Sequence, residues 1–241
     1  MILEEKILFT GGSGLLGSEI KKLIPKSHFP SHEEFDITDY ELMKNYLGEK
    51  DIKQIVHAAA ITSPPKVDKE ILKAIDTNII GTSNIAKLCY NEGIKLIYIS
   101  TDYVFNGEKG NYNEEDSIYP VNKYAWSKLG GECAVRMCDD FLIIRTSFGP
   151  NEFPYEKAFT DQWTSRESVS VIAKKLVNIL DKDIKGIIHL GGTRKTVYEY
   201  AKEISPNKEI GKISTNEINF KIPKDTSLNC EKYRLLIRGK K

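Results

Sequence analysis

The sequence predicts an α/β fold, a doubly wound parallel sheet covered by helices on both faces, with a small C-terminal region. Three observations carry that expectation. Short apolar runs alternate with helical patterns along most of the chain. A glycine turn joins the first run to the first helix, and small or hydroxylated residues recur where the runs end. Such carboxyl ends of strands are where open α/β sheets take ligands.

The first strand reads Lys6-Ile-Leu-Phe-Thr10 and stops at Gly11-Gly-Ser-Gly-Leu-Leu-Gly17, after which Leu15, Leu16, Ile20 and Leu23 recur at helical spacing. Gly11, Gly14 and Gly17 let the chain turn tightly and the helix pack on the strand. They also let the backbone around Ser13, Leu15 and Leu16 approach a pyrophosphate, which the helix N-terminus favours. A glycine-rich connector can be purely structural; the strand before it and the helix after it point to a dinucleotide site. A second strand is barely visible in 27–34, before Phe35-Asp-Ile-Thr-Asp39 leads into a helix. The acidic or basic side chain expected roughly 20 residues past the glycines does not stand out, so NAD and NADP both stay open. Ser31 and His32 could meet a phosphate, and Glu33 and Glu34 a ribose or only solvent. Asp36 and Ile37 are better placed to border an adenine.

The third strand, Gln54–His57, runs into Ala58, Ala59 and Ala60, small residues that let a cofactor lie against the backbone. His57 reads as a packed core histidine. After Thr62-Ser-Pro-Pro-Lys-Val-Asp68 one long amphipathic helix is predicted around Asn78, Thr82, Ile85 and Leu88, stopped by Gly93. The fourth strand, Lys95–Ser100, ends in Thr101-Asp-Tyr-Val-Phe105. Pro120 then precedes a helix holding Tyr124 and Lys128, and the fifth strand is Phe141–Arg145. A helix over Val169–Leu180, a strand over Gly186–Leu190 and a helix near Val197–Ile204 keep the rhythm. The last forty residues are polar and lose it, with Asp225–Asn229 reading as the cap of a short terminal helix.

Tyr124 and Lys128 lie four apart, one above the other on a helix. A cation within ~4–6 Å favours the phenolate and lowers a tyrosine's pKa toward one useful for proton transfer. In isolation such a pair is usually a solvated helix face; the glycine turn and the hydroxyl-rich strand end before it argue for chemistry. Bulk composition narrows the partners. Thirty-five basic and thirty-four acidic residues leave a net charge of +1 over 241 residues, no footprint for nucleic acid or an anionic membrane. No apolar run approaches a membrane span, and the N-terminus lacks the order of a signal peptide, so a cytoplasmic protein acting on small molecules is expected. Cys89, Cys133, Cys138 and Cys230 form no CxxC pair and the four histidines are scattered, which predicts reduced thiols and no metal site.

Gly11-x-x-Gly14-x-x-Gly17, Ser100-Thr-Asp-Tyr-Val-Phe105 and Tyr124-x-x-x-Lys128 occur together and in order, with Ala58–Ala60, Pro120-x-Asn122, Lys128-Leu-Gly-Gly-Glu132 and Arg145-Thr-Ser147 in support. The chain therefore resembles the extended short-chain dehydrogenase/reductase superfamily, most closely the dTDP-4-dehydrorhamnose reductase family, well over about residues 6–150 and loosely beyond. The resemblance implies a single NAD(P)-binding Rossmann-type domain over 1–241, with substrate-binding segments near 149–168 and 191–241. It implies hydride transfer from a nicotinamide to the 4-keto group of a nucleotide-linked deoxysugar. Tyr124 would donate the proton, Lys128 would tune it and bind the nicotinamide ribose, and Thr101 would hold the sugar oxygen. Asn78, Ser100 and Ser147 would join the glycine turn and the alanines around the cofactor. Thr62, Asp102, Tyr103 and Phe148 would meet the substrate. Related dehydratases carry a glutamate where this chain has Tyr103, which disfavours dehydration; an epimerase and a homodimer stay open. So does a cofactor-binding regulatory subunit without turnover, since a related branch regulates methionine adenosyltransferase. The chain departs from the family pattern at Phe148, where tryptophan is common, and at Pro150–Thr160, which is short for a substrate cover. It departs again at Ile222-Pro223, where an arginine-proline pair is expected and Lys221 and Lys224 are the substitutes at hand.

Overall fold

The computed structural model describes residues 3–48, 50–219 and 221–239. A 3-10 turn at Glu4–Lys6 leads into β1 (Ile7–Thr10), so the first strand begins one residue later than its apolar run suggests. The glycine turn and α1 (Leu15–Leu23) follow. The expected second strand is reduced to one parallel bridge, Leu8 with His28. Asp39 caps α2 (Tyr40–Leu47), its carboxylate accepting from Leu42 N, and β2 (Gln54–His57) comes next.

A short helix that the sequence did not announce, α3 (Pro64–Lys69), comes first, and the predicted long helix is three pieces: α4 (Ile71–Ala74), a π-helical stretch Ile75–Gly81, and α5 (Thr82–Glu92) ending at Gly93. The π stretch has a packing cause. It carries Asn78 inward, fully buried, where Nδ2 donates to Ile61 O and Ser127 Oγ and Oδ1 accepts from Ile61 N. Widened turns of this kind gather at functional sites. Then come β3 (Lys95–Thr101), α6 (Lys123–Val135, capped by Asn122) and β4 (Phe141–Thr146).

The sheet order is β1-β2-β3-β4-β9, all parallel, with β9 at Gly186–Leu190. Because His28 lies on the free side of β1 while β2 lies on the other, the chain reverses its direction of growth at β1, the switch point where such sheets bind ligands. Alternate strand residues face opposite layers. Ile7, Phe9, Ile97, Ile99, Leu142 and Ile144 pack against α1 and α7 (Val169–Leu180), while Leu8, Ile55, Leu96, Tyr98 and Ile143 pack against α2, α5 and α6. Strands buried on both faces read as continuous apolar runs, which is why the sequence shows them plainly.

The region after β4 is built from short pairings. β5 (Phe148–Gly149) pairs with β8 (Glu167–Ser168), β6 (Lys157–Phe159) with β11 (Gly211–Ile213), and β7 (Trp163–Thr164) with β10 (Lys195–Thr196). Beneath α8 (Val197–Ile204) these enclose a separate small core of Phe153, Ala158, Tyr200 and Ile210. The terminal helix α9 (Glu231–Arg238) starts from Cys230, and its cap-like contact comes from Asn229, whose Oδ1 accepts from Glu231 N. No described helix is long and apolar enough to cross a membrane.

Candidate active site

The glycine turn forms a cradle that side chains would fill. Gly11 has φ +76°, and a Cβ there would sit 2.9 Å from Ala59 N; one on Gly17 would sit 2.4 Å from Gly11 O. Ser13, Gly14 and Leu15 are exposed at this turn, whereas the Leu16 side chain belongs to the core and leaves only its backbone to a ligand. These features fit a dinucleotide pyrophosphate lying against backbone at a helix N-terminus.

Thr10, at the end of β1, ties this turn to the next strand. Its Oγ1 accepts from Ala58 N and Ala59 N, each at 3.2 Å, and lies 2.8 Å from His57 Nδ1. His57 Nε2 is 3.0 Å from Thr82 Oγ1, which gives its own proton to Asn78 O. Thr82 must therefore accept from Nε2–H, and Nδ1 accepts from Thr10. Burial and the charge of Lys128 push His57 down to about 3, so it is a neutral structural link, as the sequence suggests.

The cofactor candidates beyond the turn divide. Ala58, Ala59 and Ala60 are partly exposed at the end of β2. Asn78 spends its side chain bracing the 61 loop against α6, and the Ser100 hydroxyl donates to Glu132 Oε1 at 2.6 Å. Asp36 caps its own turn through Thr38, and Ile37 is buried in the second core layer. Ser31 and Glu34 bond each other at the surface.

Thr101, Asp102, Tyr103 and Tyr124 do come together. Thr101 ends β3, donates to Asp102 Oδ1 and accepts from Tyr103 N. The Tyr103 and Tyr124 rings meet edge to face with centroids 6.4 Å apart. Asp102 is buried and accepts from Thr226 Oγ1 at 2.6 Å; burial lifts it to about 6 against that hydrogen bond and the charge of Arg166. Burial raises the Tyr124 phenol above its ordinary value, with the Thr101 hydroxyl and Arg166 pulling the other way. Lys128 has its Nζ over the Tyr98 ring at 4.1 Å, and burial lowers it to about 7 against the pull of Glu132. That glutamate is itself fixed by Arg145 in a buried pair at 2.9 Å, which locks α6 to β4.

Of the remaining candidates, Thr62 is exposed on the loop after β2, and Phe148 is half-buried against the α1/α7 layer. Ser147 Oγ accepts from Arg166 Nε at 3.3 Å. Lys221 and Lys224 are exposed. Three contributors have no motif around them: Gln162, which donates to Tyr103 Oη; Thr226; and Arg166. The one available signal was that Arg166 is the only arginine in 149–168.

Residues 5–238 match the family profile described as RmlD substrate binding domain. The whole chain aligns at 30% identity with methionine adenosyltransferase 2 subunit beta of Rattus norvegicus, covering 85% of that protein. The structure of a hypothetical dTDP-4-dehydrorhamnose reductase from Sulfolobus tokodaii superposes with TM-score 0.85 at 31% identity, over 96% of this chain and 94% of that one. The Bacillus anthracis dTDP-4-dehydrorhamnose reductase in complex with NADP gives TM-score 0.86 at 26% identity, over 98% and 93%. A parallel sheet with its switch point at β1, a glycine cradle beside it and a threonine–tyrosine cluster two strands away thus coincide with a match along nearly all of the chain, which belongs to the RmlD substrate binding domain family within the extended short-chain dehydrogenases/reductases.

Proposed function

We propose that the protein reduces the 4-keto group of a nucleotide-activated deoxysugar with NADH or NADPH. The observation that carries this reading is the convergence of Thr101, Tyr103 and Tyr124 at the carboxyl end of β3, two strands from the Gly11–Gly17 cradle and on the same edge of the sheet. When bound, the nicotinamide supplies the hydride. Gly11, Gly14, Gly17 and the backbone of Ser13 to Leu16 hold the pyrophosphate, and Ala58–Ala60 let the cofactor lie flat. Thr101 holds the sugar oxygen, and Tyr124 gives its proton to the alkoxide as it forms. Burial keeps the phenol in its proton-bearing form but makes it a weaker acid, which the Thr101 hydroxyl and Arg166 partly offset. Lys128 bonds the nicotinamide ribose, and Thr62, Asp102, Tyr103 and Phe148 border the sugar. The segments 149–168 and 191–241 cover the substrate as parts of a single domain.

Tyr124→Phe deletes only the acid. Turnover with a panel of nucleotide 4-keto sugars, followed by absorbance of the reduced nicotinamide, should fall by orders of magnitude while NADPH affinity stays native. Unchanged turnover would sink the assignment. A second reading, a dinucleotide-binding regulatory subunit, is favoured by the likeness, over the whole of this chain, to methionine adenosyltransferase 2 subunit beta. It predicts cofactor binding with no oxidation of NADPH by any keto sugar in the panel.

A further inference from the structure

The hydroxyl that is to hold the sugar oxygen is already committed elsewhere. A threonine hydroxyl has one proton and two lone pairs. Thr101 Oγ1 donates its proton to Asp102 Oδ1 at 3.2 Å and accepts from Tyr103 N at 3.2 Å, so one lone pair is all it has left for a ligand. A lone pair welcomes an alcohol, which donates, and repels a ketone, which only accepts. Asp102 sets this arrangement. It is 2% exposed, and its other oxygen, Oδ2, accepts from Thr226 Oγ1 at 2.6 Å; Thr101 and Thr226 are buried with it. With Oδ2 held as an acceptor, a proton taken up from solvent lands on Oδ1, the oxygen that faces Thr101. Oδ1–H then donates to Thr101 Oγ1, and the threonine turns its own proton outward. One proton is gained and one O–H rotates; no other bond changes.

We propose that Asp102 is a positioning residue that acts through Thr101, its own proton deciding whether Thr101 offers a ligand a hydrogen-bond donor or a lone pair. This rests on the reductase reading for its ligand, a ketone, which needs the donor. Burial lifts Asp102 to about 6, so the two states exchange close to neutrality. The charged and titratable groups facing it are Arg166 from the segment after β7, Tyr103 on its own turn and Tyr124 on α6. Lys128, one turn beyond Tyr124, titrates separately at about 7.

Carbon-13 NMR of protein labelled at the aspartate carboxyl carbons reads the proton directly, the Asp102 resonance being the one that Asp102→Asn removes. Its midpoint should lie at about 6. Thr101→Val and Thr226→Val each delete a hydroxyl that donates to the ionised carboxylate, so each should raise the midpoint, and Thr226→Ser should restore it. In turnover of the keto-sugar panel with NADPH, kcat/KM should fall as pH rises through that midpoint, by roughly 10²-fold for the loss of one donor to the forming alkoxide. Thr226→Val should move this limb upward by as much as it moves the NMR midpoint. Asp102→Asn, whose amide donates to Thr101 at every pH, should abolish it, and the limb set by Lys128 should stay in both variants. A midpoint unmoved by Thr101→Val overturns the proposal, as does a limb that survives Asp102→Asn or ignores Thr226→Val. If no keto sugar oxidises NADPH, the reductase reading falls instead, and the NMR midpoints judge Asp102 on their own.

Discussion

Thr10 satisfies three groups with one hydroxyl, taking the amides of Ala58 and Ala59 and giving its proton to His57. Thr10→Val keeps the shape and removes all three bonds. It should cost about 1–3 kcal/mol for each polar group left unsatisfied, read from urea midpoints, and weaken NADPH binding as the 58–60 backbone drifts. Lys128 gives a second expectation at this scale. Its native pKa is about 7 against 10.5 for the free side chain, so between those values the unfolded chain binds the extra proton. The contribution of Lys128 to stability is therefore most unfavourable below pH about 7 and improves as pH rises toward 10.5. Lys128→Met should flatten that rise in urea midpoints measured across the window. The motif made Tyr124 and Lys128 legible, but not their surroundings. Helical spacing sets the two on one face, and only the fold reveals that the ammonium lies over Tyr98 and that Arg166 is a cation acting on the phenol.

Among the elements, α6 is held by a buried charge pair and α1 by a bare backbone contact. Glu132 and Arg145 are both essentially inaccessible, so removing one partner strands the other. Glu132→Gln should destabilise by about 3–5 kcal/mol, and the double change Glu132→Gln with Arg145→Met should recover much of that loss in a urea cycle. Gly17→Ala places a methyl 2.4 Å from Gly11 O, which forces the turn open. NADPH affinity should fall with stability, by isothermal titration and thermal melting. Elements with long-range apolar periodicity were readable to the residue: α7, β9 and α8 begin and end where the pattern does. The long helix was not, because a π stretch keeps the apolar spacing of its neighbours while changing the hydrogen bonding. Nor were β5 to β8, whose two- or three-residue pairings carry too little alternation to register.

For the whole molecule, acid stability follows from three buried groups. His57 and His189 are each pushed down to about 3 by burial, and Asp102 is lifted to about 6. Between pH about 4 and 6 the unfolded chain takes up two histidine protons that the native protein refuses. The native protein takes up one at Asp102 that the unfolded chain refuses. These groups together make stability fall with falling pH by about one proton's worth of slope, and Asp102→Asn should steepen it toward two. Circular dichroism melts at closely spaced pH values measure both slopes. Much of the fold was legible because the sheet core is apolar on both faces. The polar tail was not, because its role is set by partners far away in sequence, as with Thr226 and Asp102, which are 124 residues apart. That separation has a consequence in time. At ribosomal speeds of ~5–20 residues per second, about 6–25 s pass between synthesis of the carboxylate and arrival of the hydroxyl that receives it. Through that interval a nascent chain carries Asp102 without the hydroxyl that bonds it, so this corner of the candidate site is finished late, and a chain stalled before residue 226 lacks that bond.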